Sequence, residues 1–87
     1  MNRQNENIID VRGSLEPIAF LKVSQVCREM KTGSIMRIII EDTDSHLNLL
    51  SLLQYFDVQV VEDKKYSDKE AGWQIIIQKN IRKNIKQ

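Results

Sequence analysis

The spacing of apolar positions along the chain switches repeatedly between two residues and about 3.6. Residues 7–12 alternate, with Ile9 and Val11 on one face and Ile8 and Asp10 on the other, which predicts a short strand. From Pro17 to Lys31 the positions Ala19, Phe20, Val23, Val26, Cys27 and Met30 fall on one helical stripe, and Lys22, Gln25, Arg28 and Glu29 cover much of the rest. Ile18 and Leu21 lie outside the stripe and predict a small apolar patch beside the turn that opens the helix. Thr32-Gly33 is expected to end that helix, with glycine taking the left-handed conformation at its C-terminal cap. Residues 34–40, with the near-continuous run Ile35 to Ile40, predict a central strand covered on at least one face.

An acidic connector, Glu41 to Ser45, follows, and Thr43, Asp44 or Ser45 can cap the next helix. That helix is expected over 45–56, with Leu49, Leu50, Leu52, Leu53 and Phe56 turned to the core. Residues 58–61 read as a third strand and 62–71 as a charged, solvated hairpin loop. Residues 72–78 read as a fourth strand, with Trp73, Ile75 and Ile77 on one face and Gln74 and Gln78 on the other. The predicted order is therefore β-α-β-α-β-β. It implies an α/β (α+β) two-layer sandwich, a four-stranded mixed sheet with two helices on one face, because so small a sheet cannot bury both faces well. One domain over 1–78 and a basic C-terminal tail over 79–87 are expected, with residues 1–6 polar and loose.

Composition narrows the chemistry. Thirteen basic and twelve acidic residues leave a net charge of +1, so no bulk charge drives binding to nucleic acid or membrane. One cysteine excludes an internal disulfide, and with one histidine it supplies no zinc-ligand set. No hydrophobic run reaches signal-peptide or bilayer-spanning length, so a cytoplasmic location is the expectation. Neither a metal nor another cofactor is expected.

The junction Asp10-Val11-Arg12-Gly13-Ser14-Leu15-Glu16-Pro17 carries the functional argument. Gly13 permits a sharp turn, and Pro17 suits the first turn of a helix. Strand, turn and helix start together expose backbone N–H groups and the positive end of a helix dipole. The side chains available there are a carboxylate, Glu16, and one hydroxyl, Ser14.

This order, with Asp-x-x-Gly before the first helix, resembles the TusA/SirA-like family of small sulfur carriers. Gly13 matches the glycine before the family's Cys-Pro-x-Pro motif. Met30-Lys31-Thr32-Gly33 resembles its Met-x-Pro-Gly turn, and Ile39-Ile40-Glu41-Asp42 its second strand and acidic connector. Asp10 to Val61 follows the family pattern without a gap, and the hairpin after Val61 is longer. The departure is at the motif: Glu16 stands at the cysteine, Pro17 at the first proline and Ala19 at the second. In the family the cysteine carries sulfur as a persulfide. A thiolate gains from the helix dipole there. A carboxylate gains equally but cannot hold sulfane sulfur.

The resemblance implies a non-catalytic, partner-binding or regulatory relative of sulfur-relay carriers. Its expected contact surface is Ser14, Leu15, Glu16, Pro17, Ile18 and Leu21, and its expected partner a protein such as a relay component. A sulfurtransferase using Cys27 is the alternative, although the stripe position of Cys27 predicts a core residue. A third reading is RNA binding through Lys79, Arg82, Lys83 and Lys86, with Arg3. No aromatic residue interleaves those cations, which argues instead for a solubilising tail. His46, near Asp42 and Asp44, is expected at the solvated surface. Glu41, Asp42 and Asp44 are expected to serve helix capping and the dipole rather than acid/base catalysis.

Overall fold

The computed structural model of the chain describes residues 6–65 and 72–81. Its elements follow the expected order: β1 (Glu6–Asp10), α1 (Glu16–Glu29), β2 (Ile35–Ile40), α2 (Thr43–Leu53), β3 (Val58–Lys65) and β4 (Trp73–Lys79). The strands form one four-stranded sheet in the order β1-β2-β4-β3. β1 pairs with β2 in parallel, and β4 runs antiparallel to both β2 and β3. The all-apolar run of β2 is thus explained by its central place between β1 and β4.

Both helices cover the same face of the sheet. Ala19, Val23 and Cys27 of α1 and Leu49 and Leu53 of α2 share one buried cluster with Met36, Ile38 and Ile40 of β2 and Ile75 and Ile77 of β4. Register builds this cluster: Ile38 stands level with Ile9 on one side and Ile75 on the other. Ile38, Leu49, Ile75 and Ile77 are among the largest side chains sealed from solvent. Burying each stabilises the fold by roughly 1.5–3 kcal/mol. The opposite face carries Arg37 and Gln74, joined by a 2.7 Å hydrogen bond from the guanidinium to the amide oxygen.

Several boundaries differ from the sequence expectation, each for a local reason. α1 ends at an extended Met30 rather than at Thr32-Gly33. Gly33 does take a left-handed φ of 82°, but in the turn beyond, where its N–H donates to the Lys79 carbonyl at 2.9 Å. α2 begins two residues earlier than expected, because Asp42 is the cap and accepts from the Ser45 N–H at 3.2 Å. β3 runs on to Lys65, so 62–65 is strand rather than solvated loop. Pairing with β4 supplies the backbone hydrogen bonds that a charged sequence does not advertise. Lys79 is the last residue of β4, not part of a frayed tail. Residues 1–5, 66–71 and 82–87, which include Arg3, Arg82, Lys83 and Lys86, lie outside the described residues.

An irregularity in β3 sets the chemistry of its far half. Val60 pairs with Ile77 and Glu62 with Ile76, so Val61 is an extra residue. Because side chains alternate, one inserted residue exchanges the faces of everything after it. Asp63 therefore comes level with Ile75, on the helix-covered face, instead of with Gln74 on the open one.

Candidate functional site

The turn between β1 and α1 is fastened at every step. The Val11 N–H donates to the Ile39 carbonyl at 2.9 Å, and the Ser14 N–H to the Val11 carbonyl at 3.1 Å. Gly13 holds a φ of 82°, a conformation that L side chains rarely adopt. Its N–H donates to the Glu41 carboxylate at 2.9 Å, tying the turn to the connector before α2. Arg12 folds back onto Asp10 with guanidinium contacts of 2.9 and 2.7 Å. That hydrogen bonding holds the Asp10 carboxyl below its ordinary range.

Glu16 is the first residue of α1, with Pro17 beside it and Leu15 as an extended cap. The first helical bond runs from the Ala19 N–H to the Leu15 carbonyl at 2.9 Å. No side chain caps this helix, so the carboxylate of Glu16 sits where the dipole's positive end is least neutralised. It is clasped from the other helix: the Asn48 amide donates to Glu16 Oε2 at 2.9 Å. Between the starts of α1 and α2 lies a cleft lined by Ser14, Glu16, Glu41, Asp42 and Ser45 over a floor that includes Val11, Ala19 and Ile40. Its enclosed volume is about 20 Å³, room for about one water and not for an organic substrate.

The expected contact residues are divided by this geometry. Ser14 and Glu16 line the cleft. Leu15, Ile18 and Leu21 are 71%, 48% and 65% exposed. Spaced three apart, they form a strip along the solvent side of α1. Pro17 is also exposed. A partner spanning both parts would meet an apolar strip on the flank and a held carboxylate at the helix start.

Cys27 belongs to the core, as its spacing predicts. It is fully buried, and burial pushes its thiol above the ordinary range. Eleven residues separate it from Glu16 on one helix, about three turns or roughly 16 Å. Its carbonyl accepts from the Lys79 ammonium at 2.7 Å.

His46 is a correction. It is 4% exposed, not solvated, and its ring stacks on Trp73 with centroids 3.8 Å apart and planes 13° from parallel. Nε2 lies 2.6 Å from Asp63 Oδ1, while Nδ1 is buried without a partner. Asp42 meets His46 only through the backbone, where its carbonyl accepts from the His46 N–H at 2.9 Å; the partner of the ring is Asp63, brought inward by the irregularity at Val61. The core-face position of Trp73 was readable from β4 alternation. The inward turn of one acid within Glu62-Asp63-Lys64-Lys65 gave no sequence signal, nor did the reach of Asn48. The α2 cap is Asp42 rather than Thr43, Asp44 or Ser45, and Glu41 fastens the Gly13 turn before α1 instead of capping a helix. No group of three or more potential metal ligands comes together among the described residues, and none of their helices is long and apolar enough to cross a membrane.

No family model matches the chain. It is 29% identical over 72 residues to a proposed sulfur carrier protein of Archaeoglobus fulgidus, covering 83% of this chain and 80% of that one. Its fold is similar to the crystal structure of the SirA-like protein from Desulfitobacterium hafniense, with a TM-score of 0.68 over 85% of this chain and 97% of the other at 16% identity. Together these support a TusA/SirA-like, sulfur carrier family assignment.

Proposed function

We propose that this chain is a partner-binding or regulatory relative of sulfur-relay carriers that docks without carrying sulfur. Persulfide transfer needs a thiolate that attacks the terminal sulfur of a donor persulfide. A new S–S bond forms as the donor's S–S bond breaks, and the donor leaves as a thiolate. At the helix start a carboxylate stands instead, and the thiol of Cys27 is buried three turns away. The separation of position from thiol is the observation that carries the reading. Glu16 retains the charge that a carrier thiolate would present, clasped by Asn48 beside an exposed apolar strip.

The expected partner is a protein of a sulfur relay that recognises an anion at a helix start. A competition assay tests this. A cysteine desulfurase delivers sulfur to a cysteine-bearing carrier of the same fold while this chain is added in excess. Wild type should slow delivery, and Glu16→Lys, which reverses the charge at the dipole's positive end, should lose most of the effect. Equal delivery with and without the wild-type chain would contradict the reading.

A further inference from the structure

The sheet carries apolar side chains on both faces, and the helices cover one. Within β2, Met36, Ile38 and Ile40 turn to the helices, so Ile35, Arg37 and Ile39 turn away. Register adds Ile8 of β1 and Ile76 of β4, which stand level with Arg37 on either side. Four isoleucines therefore point away from the core, and among the described residues both helices lie on the other side of the sheet. Ile8 is 61% exposed, and Ile35 and Ile76 are half-buried. A sheet face left to solvent ordinarily carries polar residues, whereas a strand apolar on both sides is ordinarily covered on both. The ion pairs of this face stand at its two rims. Asp10, bonded to Arg12, marks the β1 edge, and Lys64, 3.4 Å from Glu62, marks the β3 edge.

We propose that this face packs against the same face of a second copy of the chain. A two-fold axis running along the strands lays β1 of each copy over β3 of the other. Asp10, Ile39, Gln74 and Lys64 are level across the sheet. Each Asp10 then meets the Lys64 of the other copy, so the pair forms twice in the dimer. In the neighbouring row Ile8, Arg37, Ile76 and Glu62 are level. Ile8 comes over Glu62 of the other copy, which lies diagonal to Arg37, and the stem of Arg37 packs on Ile76. A two-fold axis across the strands would stack each edge on its own copy and bring like charges together, so charge selects the first arrangement. Strands about 4.8 Å apart and about 20 Å long give the face a plan area of roughly 400 Å². Two such faces cover roughly 800 Å², at the small end of specific interfaces, which fits a weak, concentration-dependent dimer. The face lies on the side of the sheet away from both helices, so the dimer leaves each Glu16 surface open and does not depend on the docking proposed there.

Sedimentation velocity of the full-length chain tests the proposal. Wild type should pass from monomer to dimer between about 5 and 500 μM. Ile8→Glu, at a site too exposed to disturb folding, sets an acid against Glu62 of the other copy and should raise the dissociation constant about ten-fold or more. Lys64→Glu sets an acid against Asp10 and should raise it about three-fold or more. Adding Asp10→Lys to Lys64→Glu exchanges the charges of the pair and should restore the wild-type value. Circular dichroism and the denaturant midpoint verify that each variant is folded. A chain that stays monomeric throughout the range overturns the proposal, as does a dimer indifferent to Ile8→Glu. So does a dimer that responds to Ile8→Glu but not to Lys64→Glu, the result expected if two copies pair through their β1 edges instead.

Discussion

Glu16 and Cys27 stand on the same helix and, on the proposed reading, divide between them what a sulfur carrier keeps in one residue. The start of α1 has the position: a fastened turn, an uncapped helix end, a clasp from Asn48 and an apolar strip alongside. The middle of α1 has the thiol, sealed in the core cluster that also holds Val23, Ile38 and Ile75. Electrostatics at a helix start favour any anion, so the location tolerates exchange of thiolate for carboxylate. Packing favours any small hydrophobe, so the core tolerates a cysteine without using its chemistry. On the proposed reading, position and reactivity are separable in this fold, and only their coincidence makes a carrier.

Joining them again should produce the largest effect. Glu16→Cys places a thiol at the exposed helix start, and it should react with a thiol reagent about a hundred-fold faster than Cys27, which must await opening of the core. Mass mapping of the labelled site checks this, and equal labelling of the two cysteines would break the comparison. Next in size is the core itself. Cys27→Ser buries a hydroxyl in an apolar site and should cost about 1–3 kcal/mol, read as a lower denaturant midpoint with an unchanged slope.

Asp63→Ala should cost about as much or somewhat less. It removes the partner of His46 Nε2 where Nδ1 already has none. It should leave competition at the Glu16 surface intact, which separates the stability of the fold from the docking site. The smallest effects are in pH. The Cys27 thiol is pushed up by burial, so its contribution is intact below about pH 8.5 and stability declines as pH rises through the folded value. The Asp10 carboxyl is held low by Arg12, so its contribution is present above about pH 4 and is lost as pH falls through the lower folded value. That pair is largely exposed, so Arg12→Ala should remove about 0.5 kcal/mol or less at neutral pH. Denaturant titrations across pH test both signs.

The element order, the shared helical face and the burial of Cys27 were legible because each rests on local periodicity repeated over many residues. The stripe Ala19-Val23-Cys27 and the run Ile35–Ile40 leave few other placements. The candidate site was legible as a helix start, since Gly13 and Pro17 mark it. What holds it was not: the bond from Asn48 to Glu16 joins residues on different helices. The burial of His46 was illegible for a related reason. It depends on one extra residue at Val61, which turns Asp63 inward, and on Trp73 arriving from β4.

The central claim is that the thiol of this chain is out of reach of sulfur chemistry while the carrier position is filled by a carboxylate. Intact-mass measurement of the native wild-type protein after incubation with a cysteine desulfurase and cysteine tests it most directly. The account predicts an unchanged mass under conditions where Glu16→Cys gains one sulfur atom. A sulfur atom gained by the wild-type chain at Cys27, and passed on to an acceptor, would contradict it.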